Sequence, residues 1–192
     1  MLKQKLNNMK KVLFLLLAVS SLSACHKASN TARITFDIPY TQTTALPGVP
    51  GYSEGTSIPP GGAAMPFAAV NVSTNAQQFF DLNGITSKNV LSTYMTSMSV
   101  QITTPGFHYF DFLDKIEMYI SAPGQPEIMV AYDDNVPYSV KFINLAVVPN
   151  LNLKNYIVGD SVTVRLSAYV NNVPTPAQLL LNGQFQVTAN PL

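Results

Sequence analysis

Short segments in which apolar and polar residues alternate fill most of this chain, and turn-forming residues separate them. The clearest segment covers residues 162–168, where Val162, Val164, Leu166 and Ala168 occupy every second position. A period of two places alternate side chains on opposite faces of an extended strand and does not match the helical period of 3.6. The chain is therefore expected to bury one face of each of several short strands.

Similar segments recur along the chain, at 33–38, 98–102, 116–120, 127–132, within 138–148, at 179–181 and at 185–187. The first is predicted to end at Pro39, because proline has no main-chain donor. Between the last two lies Asn182-Gly183, a dipeptide favoured in tight hairpin turns. Short strands about 8–15 residues apart predict an all-β antiparallel β-sandwich, Ig-like or jelly-roll-like, with a closed barrel as the alternative.

Period-two alternation also predicts which side chains face the core of this sandwich. The predicted core positions are Ile34, Phe36, Val100, Ile102, Ile116, Met118, Val162, Val164, Leu166, Phe185 and Val187. One short helix is expected at 75–84, because Asn75 is a suitable N-cap and Asn83-Gly84 a suitable stop.

Residues 39–66 contain six prolines and five glycines, a density that regular structure does not tolerate. They are predicted to form a long loop. The loop is either a disordered insertion or a binding loop that presents Tyr40, Tyr52 and Phe67, since long ordered loops are often functional.

The first 25 residues have the pattern of an export signal: four lysines precede the apolar run 12–19. This run is shorter than the roughly 20 residues that cross a bilayer. The next four residues, Leu22-Ser23-Ala24-Cys25, resemble the lipobox of bacterial lipoproteins. The resemblance implies cleavage after Ala24 and acylation of Cys25 with lipid chains such as palmitate. Each buried methylene adds about 0.8 kcal/mol to membrane binding, so several chains form a stable anchor.

The expected organisation is a signal peptide at 1–24, a lipidated tether at 25–31 and a single β-sandwich domain at 32–192, which includes the loop at 39–66. Cys25 is the only cysteine, so no disulfide is expected within the domain. Removal of the signal leaves seven basic and ten acidic residues. A weakly acidic chain without a basic cluster argues against nucleic acid as a partner.

Residues that could act as a general base near neutral pH are few, namely His26 in the tether and His108. No Gly-x-Ser-x-Gly nucleophile elbow precedes a helix anywhere in the chain, Cys25 is occupied by lipid, and a zinc site lacks ligands. Neither a catalytic residue, a metal nor a cofactor is therefore predicted.

Carboxylates are the remaining route to catalysis, and Asp111, Asp114 and Glu117 form the densest group. They would share one face of a helix, but the alternation after Lys115 predicts a strand. We therefore interpret 111–114 as a polar turn, with Phe110 and Phe112 filling the core.

Two further segments could bind a ligand. Asp133-Asp134-Asn135 could supply oxygens to calcium, but it lacks the pattern of an EF-hand loop, so a plain turn is predicted. The aromatic segment Phe107-His108-Tyr109-Phe110 should direct two side chains inward and two outward. Exposed aromatic side chains can stack on sugars or anchor a protein partner.

The whole chain is similar in style to the small β-sandwich lipoproteins of Bacteroidetes, although only the lipobox is a specific motif. We expect a membrane-anchored envelope lipoprotein, held in the bilayer by acylated Cys25, that is a non-catalytic structural or binding module with a protein or glycan partner. The alternative is a carboxylate-dependent polysaccharide hydrolase or another envelope enzyme. His26 follows the lipidated cysteine, and 26–31 contain no acidic residue, which implies an outer-membrane protein that faces the periplasm.

Overall fold

The computed structural model of the chain describes residues 32–104 and 109–192. Ala32–Leu192 form one compact unit. Its strands are β1 (Ile34–Ala45), β2 (Ala63–Pro66), β3 (Val70–Ser73), β4 (Val90–Thr104), β5 (Leu113–Ala122), β6 (Gln125–Asp133), β7 (Phe142–Asn144), β8 (Ala146–Val147), β9 (Ser161–Val170) and β10 (Gln178–Ala189). All the strand pairs between them are antiparallel.

The strands form two sheets that pack face to face. The four-stranded sheet has the order β1-β10-β4-β7, and the six-stranded sheet has the order β2-β9-β5-β6-β8, with β3 also paired to β9. Strands β2 and β3 occupy successive parts of the same edge of β9, because β2 pairs with 167–170 and β3 with 161–164. The predicted all-β antiparallel sandwich is confirmed, and the sheets have separate edges rather than closing into a barrel.

Both sheets direct alternate side chains into one shared core. Of the predicted core positions, these are buried: Val100, Ile102, Ile116, Met118, Val162, Val164, Leu166, Phe185 and Val187. Ile34 and Phe36 are partly buried and pack against the core, where Phe36 meets Phe80 edge to face with 6.2 Å between ring centroids. Burial of each large apolar side chain contributes about 1.5–3 kcal/mol, so the alternation identified the main source of stability.

Strand β1 does not end at Pro39, so that prediction is wrong. The strand continues to Ala45, and Pro39 lies opposite Gln184 in an unbroken register with β10. Because β1 is the outermost strand of its sheet, one side of its main chain has no partner strand. Proline is tolerated on such an edge, where its missing N–H removes no ladder hydrogen bond.

The predicted hairpin at Asn182-Gly183 is also wrong, because β10 runs straight through both residues. Strand β10 is held on both sides, by β1 and by β4. A Cβ on Gly183 would lie 3.1 Å from Met98 Sδ and 3.1 Å from the Ser97 carbonyl oxygen. Glycine is needed here because β4 approaches closely, not because the chain turns.

The Pro/Gly-rich loop is shorter than the predicted 39–66, since β1 and β2 take up both of its ends. The irregular segment is 46–62, and it is bound to the connection between β9 and β10. The Ile58 N–H donates to the Asn171 carbonyl oxygen at 2.8 Å, and the Gly55 N–H donates to the Val173 carbonyl oxygen at 3.0 Å. Proline and glycine prevent a regular strand from forming in this segment. Its main-chain groups are still hydrogen-bonded to another irregular segment, the connection between β9 and β10.

Two short α-helices complete the described unit, α1 (Ala76–Leu82) and α2 (Lys154–Ile157). The predicted helix at 75–84 is thus confirmed with slightly narrower bounds. Asn75 occupies the N-cap position at φ 49° but makes no capping hydrogen bond, and the Thr74 hydroxyl accepts the Ala76 N–H at 3.2 Å instead. Within the described residues, no helix has the length and apolar character needed to cross a membrane.

Candidate functional site

Several residues singled out from the sequence lie outside the described part of the chain. They include the signal peptide, the lipobox with Cys25, the tether with His26, and the pair Phe107 and His108. In the aromatic segment, Tyr109 is exposed whereas Phe110 is buried. The Lys141 ammonium lies 5.2 Å from the centroid of the Tyr109 ring, which is a cation–π distance.

Asp111 and Asp114 each bind a local partner. Asp111 lies in a single 3₁₀ turn, Phe110–Phe112, and its carboxylate accepts the Ser139 N–H. Asp114 is the second residue of β5 and accepts the Asn171 side-chain amide at 2.6 Å. The predicted turn is thus confirmed for Asp111, but Asp114 already belongs to strand β5, so the turn is shorter than 111–114.

Phe110 and Phe112 fill the core, as predicted, with ring centroids 6.1 Å apart. Glu117 lies on β5, where its neighbours in the sequence, Ile116 and Met118, are buried. Because Glu117 lies on the predicted strand, it does not share a helix face with Asp111 and Asp114.

The segment 133–135 forms a local turn. The Asn135 N–H donates to Asp133 Oδ1 at 2.9 Å. Asp134 makes an ion pair with Lys115 at 2.8 Å. Across residues 32–104 and 109–192, no three His, Cys, Asp or Glu side chains are grouped to hold a metal ion.

The three aromatic residues of the predicted binding loop are not presented together. Tyr40 is an inward residue of β1 and Phe67 follows β2, and both are buried. Of the three aromatic residues, only Tyr52 is exposed, and it lies in the loop 46–62. The hypothesis of a binding loop built on these three residues is therefore wrong.

Tyr40 instead lines a cavity of about 70 Å³ between β1 and β3. Its hydroxyl is buried and makes no hydrogen bond to any described residue. Burial raises the pKa of Tyr40 well above its usual value, because the phenolate would lose its solvation. The phenol is therefore neutral at physiological pH.

The outer surface of the six-stranded sheet carries a network of charged residues, here named the ion-pair cluster. Its members are Lys115, Glu117, Tyr119, Glu127, Asp134 and Arg165. Arg165 binds Glu127 through two hydrogen bonds, of 2.8 and 2.6 Å. The guanidinium of Arg165 also lies over Tyr119, 4.5 Å from the centroid of its ring. This row spans the adjacent strands β9, β5 and β6.

The second half of the ion-pair cluster centres on Lys115. Its ammonium lies 2.9 Å from Glu117 Oε1 and 2.8 Å from Asp134 Oδ1. The Tyr119 hydroxyl donates to Glu117 Oε2 at 3.0 Å. Hydrogen bonds to Asp134 and Glu117 raise the pKa of Lys115, so its ammonium stays protonated.

Hydrogen bonds in the cluster shift the pKa values of Lys115, Glu127 and Arg165 toward their charged forms. The hydrogen bonds from Arg165 lower the pKa of Glu127 below its usual value, and the same contact raises the pKa of Arg165. Desolvation, followed by the hydrogen bond to Glu117, raises the pKa of Tyr119. A glycosidase acid needs a raised carboxyl pKa, and Glu127 is shifted in the opposite direction.

The outer surface of the four-stranded sheet is chemically different and is here named the amide face. It comprises Gln101, Asn182, Gln184 and Gln186, with Tyr94 and Phe142 at its two ends. Gln186 lies opposite Tyr94 in the register of β10 and β4. Gln101 lies opposite Phe142 in the register of β4 and β7.

No protein-family model matches this chain, and no curated protein matches it. Among solved structures, it is similar to the VP2 subviral particle of infectious bursal disease virus, with a TM-score of 0.34 and 12% identity over 79% of this chain and 33% of that chain. A decameric BFDV capsid protein matches with a TM-score of 0.35 and 8% identity over 81% of this chain and 99% of that one. The chain thus spans about a third of the VP2 chain, and likenesses at these TM-scores carry no inference about function.

Neither outer surface was predicted from the sequence. Pairing of Arg165 with Glu127 depends on β5 lying between β9 and β6, and the sequence does not state that order. The signal for the amide face was present, since polar residues occupy every second position between Leu181 and Ala189. The interpretation of Asn182-Gly183 as a turn concealed it.

Proposed function

We propose that this chain is a lipid-anchored protein of a bacterial cell envelope and that its sandwich is a non-catalytic binding module. The proposed anchor is Cys25, and the motif Leu22-Ser23-Ala24-Cys25 is the single observation that carries this part. Acyl chains on Cys25 would hold the module on the outer membrane, facing the periplasm. His26 directly follows the anchor and supports this location. In the sorting rule for bacterial lipoproteins, an acidic residue at that position retains the protein at the inner membrane.

The engagement of the acidic side chains supports a binding role over a hydrolytic one. Glycoside hydrolysis requires two carboxylates that face one cleft, one of them protonated. Here Asp111 binds a main-chain N–H, Asp114 binds an amide and Glu127 binds Arg165. Each of these acids has a structural partner, and the lowered pKa of Glu127 keeps it ionised.

Metabolic labelling with an alkyne fatty acid tests the anchor. Cells that produce the full chain should incorporate the label, and the protein should fractionate with the outer membrane. Cys25→Ala should abolish the label and leave a precursor that retains residues 1–24. Ser29→Ala, in the same tether, is the matched control and should behave like the wild type. Labelling that persists in the Cys25→Ala protein would contradict the proposal.

A further inference from the structure

The outer surface of the four-stranded sheet carries mainly amide and hydroxyl side chains, with Pro39 and Leu180 among them. Its strands β1, β4, β7 and β10 contain one charged residue, Asp37. Typical soluble surfaces intersperse charges of both signs over about 25–35% of their positions. The six-stranded sheet has such a surface, because the partly exposed side chains of its ion-pair cluster carry charges of both signs. The amide face therefore offers a partner a distinct, mostly neutral chemistry, in which the carboxylate of Asp37, opposite Gln186, is the one charge carried by the strands.

The glutamines of the amide face have unused hydrogen-bonding capacity. The side-chain amides of Gln101, Gln184 and Gln186 make no hydrogen bond to any residue that the structure describes. The neighbouring hydroxyls are used, since Thr96 donates to the Gln184 carbonyl oxygen at 3.2 Å and Ser99 donates to that of Asn182 at 3.3 Å. Each free amide can donate two hydrogen bonds and accept two.

Two exposed aromatic rings mark the ends of the amide face. Tyr94 is 39% exposed and Phe142 is 48% exposed. Tyr94 and Gln101, which lies beside Phe142, are seven residues apart on β4. At about 3.3 Å per residue, this places the two ends of the face about 23 Å apart along β4. Of the three amides, Gln186 lies beside Tyr94, Gln101 lies beside Phe142, and Gln184 lies between the two ends.

The chemistry that matches such a surface is a chain of neutral sugars. Sugar hydroxyls both donate and accept, as amides do, and the flat apolar face of a sugar ring can stack on an aromatic side chain. Anionic chains such as nucleic acids require lysine or arginine, and the strands of this sheet have neither. Protein interfaces concentrate their aromatic residues at the centre, whereas here the rings lie at opposite ends.

We infer that the amide face binds a neutral polysaccharide, whose chain crosses the sheet from Tyr94 to Phe142. The sugars at the two ends stack on the rings, and the sugars between them exchange hydrogen bonds with Gln101, Gln184 and Gln186. This inference rests on the proposed binding function and specifies its partner class.

Native affinity electrophoresis of the acylated protein, purified from membranes in mild detergent, tests the inference. The gels contain a mixed-linkage β-glucan, a xyloglucan, a galactomannan or a dextran, and one gel contains anionic polygalacturonate. Retardation is expected in at least one neutral gel, with little dependence on salt. Tyr94→Ala and Phe142→Ala should each weaken the retarding interaction about 2–12-fold, the range expected for loss of one aromatic contact.

Tyr169→Ala is the matched control, because Tyr169 is equally exposed, at 44%, but lies on β9 in the other sheet. It should leave retardation unchanged. Unretarded migration in every neutral gel, retardation by polygalacturonate alone, or equal loss in the Tyr169→Ala variant would each overturn the inference. These results leave the anchor proposal standing if Cys25 is acylated. If the protein instead released reducing sugar from the glycan that retards it, the proposed non-catalytic function would be wrong, whereas the inference of glycan binding would stand.

Discussion

Replacement of Thr93 by valine should stabilise the protein. Thr93 lies in the central strand β4, is fully buried, and its hydroxyl makes no hydrogen bond to any described residue. Its main chain is already satisfied, because the Thr93 N–H donates to Asn152 Oδ1 at 3.1 Å and its carbonyl oxygen accepts the Leu153 N–H at 2.7 Å. An unpartnered buried hydroxyl costs about 1–3 kcal/mol. Valine keeps the β-branched shape that suits a strand and removes this cost.

The expected gain in the free energy of unfolding is about 1 kcal/mol or more, which in a domain of this size raises Tm by about 2–4 °C per kcal/mol. Urea titrations followed by far-UV circular dichroism should show a higher midpoint with an unchanged slope. Thr96→Val is the matched control, since the exposed Thr96 hydroxyl donates to the Gln184 carbonyl oxygen at 3.2 Å. Loss of stability in Thr93→Val, or a gain no larger than that of the control, would refute the reasoning.

Two further substitutions test packing and charge. Gly183→Ala should cost about 1–3 kcal/mol, because its Cβ would lie 3.1 Å from the Ser97 carbonyl oxygen, whereas Gly159→Ala, with nothing within 4 Å, should be nearly neutral in the same denaturant titration. Glu127→Gln should cost less than about 1 kcal/mol near pH 7, since this ion pair is partly exposed. The folded pKa of Glu127 is lowered, so its contribution is present above the unfolded pKa of about 4.3 and is lost as the pH falls through the folded pKa. The stabilities of wild type and Glu127→Gln should therefore converge as the pH falls below the folded pKa of Glu127, and a difference that does not shrink with acidification would contradict the role given to Arg165.

The core of this sandwich could be predicted because burial in a strand is encoded locally. In β9, Val162, Val164 and Leu166 alternate with polar residues, and all three are buried. A side chain's face follows from its position along the strand, whichever strands lie beside it. The helix near Asn75 was also found from local signals, although the Thr74 hydroxyl rather than Asn75 accepts the hydrogen bond from its first turn.

The errors occurred where a distant partner decides the structure. Pro39 and Asn182-Gly183 are strong local signals for a strand end and a turn, yet β1 and β10 run through them. What overrides the local signal is pairing with strands far away in the sequence: β10 pairs with both β1 and β4. Intrinsic strand preference is weak compared with such pairing and burial, so a local signal does not fix where a central strand ends.

Both outer surfaces depend on sheet order in the same way, but their side chains are used differently. In the ion-pair cluster, Arg165 pairs with Glu127 and Lys115 pairs with Glu117, so these groups hold the sheet together and are already engaged when a ligand approaches. On the amide face, the side chains of Gln184 and Gln186 lie side by side along one strand and have no partner among the described residues. An unpaired donor on a surface is satisfied by water until a partner replaces that water. Recognition is therefore best sought on the surface whose polar groups remain uncommitted, and continuity of β10 through Asn182-Gly183 is what assembles it.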